Sequence, residues 1–217
     1  TAPWGVPLGA AAGGLLAVGL AWWLSRPARG ELGLILVGVA LGALFSSVTG
    51  LVLFLTAGDR RFQEILFWTM GGLWRAAWAE VHVLAGVVIV GTLVLSLWGR
   101  RLNALALGEE GARHLGLHPG RLRGLLIAAA TLLAATAVAF CGTIGFVGLI
   151  TPHVVRLLVG PDHRVLLPAA ALAGGLFLVL ADTLARVALA PMELPVGIVT
   201  GLLGVPFFLY LVRRRAR

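Results

Sequence analysis

GTIGFVGLITPHVVRLLVGPDHRVLLP, Gly142 to Pro168, decides the fold class. Its first half is apolar and spaced by glycine, a pattern suited to helix backbones that approach closely in lipid. Pro152, His153 and Arg156 then bring polar groups to the end of that helix, and the turn Asp162, His163, Arg164 opens a second apolar run. An apolar helix that meets a short charged turn and reverses into another is the pattern of two membrane spans joined at an aqueous surface.

Composition outside this stretch agrees. With 59% hydrophobic and 12% charged residues and a mean hydropathy of +1.00, a chain of this length cannot cover a water-soluble globule with polar surface. All 17 basic residues are arginine and only nine acids oppose them, a net charge of +8. In a soluble domain that excess would suggest nucleic acid; here the arginines sit between apolar runs, so membrane topology accounts for them and no nucleic-acid partner is expected. The single cysteine, Cys141, lies in an apolar run and reads as a buried, inert thiol.

A spanning helix needs about 20 apolar residues, and seven segments qualify or nearly so: approximately Trp4–Leu24, Leu32–Thr56, Glu80–Trp98, Leu122–Cys141, Thr143–Val159, Val165–Leu189 and Leu194–Val212. The fifth is short and follows Gly142 with almost no loop, which predicts a start inside protein, where irregular backbone finds hydrogen-bond partners. Phe62–Arg75, with Trp68 and Trp74, is too short to span and reads as a helix at the membrane interface. The expected fold is all-α: a polytopic transmembrane bundle of about seven spans, one interfacial helix and a cytoplasmic two-helix segment.

Placing loops on alternate sides puts Arg26, Arg29, Arg100, Arg101, Arg113, Arg121, Arg123, Arg156, Arg164, Arg213, Arg214, Arg215 and Arg217 together and leaves Arg60, Arg61, Arg75 and Arg186 opposite. Thirteen against four assigns the first group to the cytoplasm. The first residue then lies outside with no recognisable signal, which suggests that the natural protein begins earlier.

Between the third and fourth spans, residues 100–121 read RRLNALALGEEGARHLGLHPGR. Leu105, Leu107, Leu115 and Leu117 give apolar faces, while Gly108, Gly111, Gly116 and Pro119 punctuate two short helices. Such a knob either packs on its own bundle or docks on a partner, and the residues alone leave both open. Glu110, His114 and His118 stand four apart as metal ligands on one helical face would, but Gly116 and Pro119 break that face, so no metal site is expected.

LNALALGEEGARHLGL, the GTIGFVGLITPHVVRLLVGPDHRVLLPAAALAGG block, LADTLAR and ELPVGIVTGLLGVPFFLYLVRR together resemble, in this order, the membrane-spanning FecCD-type permease subunits of binding-protein-dependent ABC importers for cobalamin, haem and iron-siderophores. Weaker similarity runs back through FWTMGGLW and LILVGVALGALFSS to the first span; the family's amino-terminal third has no counterpart, so the chain is expected to be a fragment of a single permease domain, 1–217. The resemblance implies a homodimer in the cytoplasmic (inner) membrane of a bacterium or archaeon. It would pass a metal chelate from an external binding protein to the cytoplasm by alternating access. It implies that Leu105, Ala106, Leu107, Gly108, Glu109, Glu110, Ala112, Arg113, Leu115 and Gly116 form the coupling segment for a cytoplasmic ATPase subunit.

It also implies that Pro152, His153, Arg156, Asp162, His163 and Arg164 are structural elements at the cytoplasmic mouth, and that Arg186 meets acids of the binding protein. From spacing alone, Arg186 pairs with Asp182 four residues earlier, so an internal ion pair stays open beside the docking role. Asp162 is placed to cap the sixth span, and Glu193 to cap the last. No catalytic group and no cofactor is expected in this chain: it lacks a G-x-x-x-x-G-K-[ST] phosphate loop, so ATP and Mg would bind the ATPase. An ion-coupled secondary transporter would need ionisable residues near mid-span, and an intramembrane enzyme a polar constellation in the bundle; neither is evident.

Overall fold

The computed structural model describes residues 5–25, 31–74 and 76–215, with backbone alone at Val6, Pro7, Glu31, Leu32, Leu34, Arg60, Arg61, Val212, Arg214 and Arg215. Trp4, Arg26, Arg29, Arg75 and Arg217, used above for spans and orientation, lie outside the described residues. Among the described residues ten helices run in order: α1 Gly5–Ser25, α2 Glu31–Leu55, α3 Arg60–Met70, α4 Trp78–Leu97, α5 Gly99–Ala106, α6 Glu109–His114, α7 Pro119–Cys141, α8 Val147–Val159, α9 His163–Val187 and α10 Val196–Arg215. No strand occurs among the described residues. Among the described residues five helices, α1, α2, α4, α7 and α9, are long and apolar enough to cross a membrane; α8 and the apolar part of α10 are shorter.

The spans present lipid-like surface on most sides, since large side chains such as Leu36, Phe54, Leu97 and Leu172 are exposed. Buried positions are mostly small: Ala135 and Ala139 on α7, Ala181 and Ala185 on α9, and Gly174. This is what helix association in lipid requires, because contact is won by close backbone approach rather than by hiding apolar area from water. At the crossing of α1 and α7, a Cβ at Gly14 would already lie 3.2 Å from Ala135 Cβ.

The joint at Gly142 organises the bundle's other half. Helix α7 ends there at φ 69° and α8 starts only after Phe146, itself left-handed at φ 66°. The end of α3 and its following residues supply hydrogen-bond partners at this joint. Gly72 N–H donates to the Cys141 carbonyl at 2.8 Å, Thr143 Oγ1 donates to the Thr69 carbonyl, and Gly197 N–H reaches the Gly71 carbonyl at 3.4 Å. A Cβ at Gly142 or Gly197 would run into the Trp68 or Met70 carbonyl, and one at Gly204 into the Phe146 side chain. The irregular start of α8 is thus held by protein, as its sequence predicts. At 13 residues it reaches only about 20 Å at about 1.5 Å per residue. The segment read as an interfacial helix is more than that: α3 stops at Met70, and its end is fastened into the joint.

Candidate functional site

Two ends of the bundle gather the polar side chains. At one, α5 and α6 form the two-helix knob. Gly108, at φ 97°, precedes α6, and Gly116, at φ 74°, follows it; Leu117 N–H returns to the Ala112 carbonyl at 3.0 Å, a closure that requires a left-handed residue at Gly116. Inside the knob sit Ala104 and the wholly buried Ala112. Outside stand Leu107, 73% exposed, and Leu115, 61% exposed, with Ala106, Gly108, Glu109, Glu110 and Arg113 around them. Leu105 is half-buried, so the outward apolar tip rests on Leu107 and Leu115 rather than on Leu105. Glu109 bridges Arg113 at 3.5 Å and Arg123 at the start of α7 at 3.3 Å, which steadies the knob's pose. Exposed pairs of this kind contribute little energy individually. His114 closes α6 while His118 is the N-cap residue of α7, so the two do not share a helical face with Glu110.

The same end holds the turn before α9. Asp162 is that helix's N-cap, its Oδ1 accepting from Arg164 N–H at 3.0 Å. It also accepts from Asn103 Nδ2 at 2.8 Å, which ties α5 to α9. His163 N–H donates to Asn103 Oδ1 at 3.0 Å, and His163 Nδ1 lies 2.7 Å from that same oxygen. Hydrogen bonds from the Arg164 backbone N–H and from the Asn103 side-chain amide hold the Asp162 carboxyl below the usual carboxylate range. A depressed carboxylate stabilises the fold above its ordinary range and loses that contribution only as pH falls through the depressed value, so the cap stands at neutral pH. Arg156 is exposed near the end of α8. His153 and Pro152 lie further back: the His153 ring packs edge-on to Phe207 of α10, 6.4 Å between centroids. That contact gives His153 an aromatic neighbour within the bundle. Asn103 carries no local sequence signal, because its partner is some sixty residues away; the sequence reading passed over it.

At the opposite end, Arg186 and Asp182 pair along α9, with Nε to Oδ2 at 2.7 Å and Nη2 to Oδ1 at 3.4 Å. The Arg186 side chain remains 45% exposed, so the ion pair holds the guanidinium without covering it. Both line a cleft of about 310 Å³ with Phe67, Trp74, Glu193 and Leu194. Glu193 does not cap α10, because that helix starts at Val196, two residues later than its sequence suggests. Among the described residues the Glu193 carboxylate accepts no hydrogen bond within the 3.5 Å limit of an ordinary one. The two ends are thus the two arginine groups that loop alternation separates: Arg101, Arg113, Arg123 and Arg164 at the knob, Arg186 at the cleft.

Residues 1–214 match the profile of the FecCD transport family. The chain belongs to the FecCD transport family. It is 50% identical over 182 residues to the cobalamin import system permease of Halobacterium salinarum, covering 84% of this chain and 48% of that protein. It is 39% identical over 209 residues to the hemin transport system permease of Yersinia pestis, covering 96% and 62%. A solved structure described as an inward-facing conformation of a metal-chelate type ABC transporter aligns with TM-score 0.82 at 34% identity, over 97% of this chain and 74% of that one. The chain therefore spans about half to two thirds of the length of these curated relatives. As a FecCD member with several long apolar helices, it is a multi-pass integral membrane protein.

Proposed function

We propose that this FecCD protein is the membrane subunit of an ATP-driven importer, passing a metal chelate such as cobalamin, haem or an iron-siderophore inward by alternating access. It is a permease and not an enzyme; ATP and Mg bind a separate ATPase on the cytoplasmic face. A second copy completes the pathway, an external binding protein delivers the chelate to the end carrying Arg186, and the bundle sits in the cytoplasmic membrane of a bacterium or archaeon. Pro152, His153, Arg156, Asp162, His163 and Arg164 shape the cytoplasmic mouth. Its nearly charge-free spans suit a pathway walled by apolar and glycine-rich helix faces, with residues 100–121 as a coupling segment within one permease domain.

The observation that carries this reading is the knob. Leu107 and Leu115 stand exposed on a segment braced by hydrogen bonds to the start of α9 and by an ion pair to α7, at the arginine-rich end. An apolar tip on a rigid support, on the side the positive-inside rule assigns to the cytoplasm, has the form of a docking element. Its substitution tests the role. In the full chain coexpressed with the cognate ATPase, Leu107→Asp together with Leu115→Asp should abolish ATPase co-purification while membrane insertion and thermal stability stay near wild type. Undiminished co-purification and hydrolysis would remove the coupling role.

A further inference from the structure

Asn103 is the point where the knob meets α9. Its amide uses both ends: Nδ2 donates to Asp162, and Oδ1 accepts the His163 backbone N–H and stands 2.7 Å from His163 Nδ1. Four residues earlier, Gly99 brings the α5 backbone against the same turn, since a Cβ there would sit 2.7 Å from Arg164 Cγ and 2.9 Å from Arg164 N. Helix α5 is therefore held to the start of α9 by a polar clamp and by a close approach that only glycine permits. Helix α9 then runs, with Pro168 within it, to Arg186, about 35 Å away at about 1.5 Å per residue. Pro168 lacks the N–H that would bond the Arg164 carbonyl, yet the helix stays continuous beyond it, so the clamped first turn and Arg186 belong to one element.

We propose that Asn103 is a positioning residue of the transport cycle, fastening the knob to the inner end of α9 so that this helix links the ATPase side to the outer cleft holding Asp182 and Arg186. The assignment rests on the importer reading above. It differs from the docking role of Leu107 and Leu115: those side chains would meet the partner, whereas Asn103 faces inward and passes movement on. Covalent continuity through Trp98 joins the knob to α4, whereas the Asn103 clamp, with the Gly99 approach beside it, joins it to the helix that carries the cleft's ion pair.

The test uses the complete transporter, with ATPase and binding protein, in nanodiscs, and reads the ratio of binding-protein-stimulated to basal ATP hydrolysis. Asn103→Leu removes the polar contacts at similar volume; the ATPase should still co-purify and the ratio should fall roughly tenfold, within the usual range for coupling between sites. Asn103→Asp sets two carboxylates against each other and should fall likewise. Adding Asp162→Asn to it restores an amide facing a carboxylate and should recover most of the ratio. A merely structural role would lower yield and basal hydrolysis together and leave their ratio in place. If Asn103→Leu is not recovered from membranes, Asn103→Ser, too short to reach Asp162, carries the same expectation. A wild-type ratio in a variant that retains its ATPase overturns the role of Asn103 alone. A wild-type complex that binds no ATPase, or whose hydrolysis ignores the binding protein, instead contradicts the importer reading.

Discussion

Arg186 shows how much one side chain's neighbours decide. The ion pair expected from spacing is present, and since Asp182 engages Nε and Nη2 while the guanidinium stays nearly half exposed, the docking role is open beside it. A charge held in place by a neighbour and open to solvent is better prepared for a partner's carboxylate than a free one, since less side-chain entropy is lost on binding. Arg186→Glu should therefore slow association of the binding protein by roughly three- to tenfold at low salt, with the defect shrinking as salt shortens the screening length. An acid-to-arginine change on the binding protein should recover part of the rate. Association kinetics at two salt concentrations decide it; unchanged docking by a well-folded variant removes the role. Asp162 was legible as a cap from its place before an apolar run, whereas Asn103 was not. A hydrogen bond between residues some sixty positions apart leaves no periodicity or spacing for a sequence reading to find.

At the scale of elements, hydropathy located every long helix to within a few residues, because a span's length is set by the hydrocarbon thickness. Its limits were at the ends. Glu193 looked like a cap, but the chain continues through Pro195 before the helix starts, and the carboxylate lines the cleft instead. The role of α3 was invisible because its partners, Gly142, Thr143 and Gly197, come from two distant segments. The sequence shows glycine spacing the apolar run and punctuating the knob; the structure separates the glycines that matter. Gly142 stands at φ 69° against the Trp68 carbonyl, whereas a Cβ at Gly145, three residues on, meets nothing within 4 Å. Gly142→Ala should accordingly cost about 1–3 kcal/mol, the usual scale for a residue held in a sparsely populated backbone region, with steric conflict added. Gly145→Ala should be close to neutral. Thermal unfolding of both variants in one detergent checks this, and equal melting temperatures would contradict the account of the joint.

For the whole molecule, the arginine count and the fold were independent readings of the same arrangement. Counting assigned loops to two sides, and the structure brings the knob, the α9 cap and Arg123 to one end and the Arg186 cleft to the other. In a Cys141→Ala background, Arg60→Cys and Arg186→Cys should react with an impermeant thiol reagent in intact cells, and Arg113→Cys only after permeabilisation. Labelling at 113 with none at 60 would invert the topology, and with it the sides assigned to ATPase and binding protein.

The central claim is that transport is driven by ATP through a separate subunit rather than by an ion gradient. The most direct measurement is chelate accumulation in proteoliposomes holding the full chain with its ATPase, binding protein outside and nucleotide inside. The account predicts uptake that requires hydrolysable ATP and both partners, stops with a non-hydrolysable analogue, and persists when ionophores collapse proton and sodium gradients. Uptake that continues without the ATPase or nucleotide and disappears with the ionophores would contradict it.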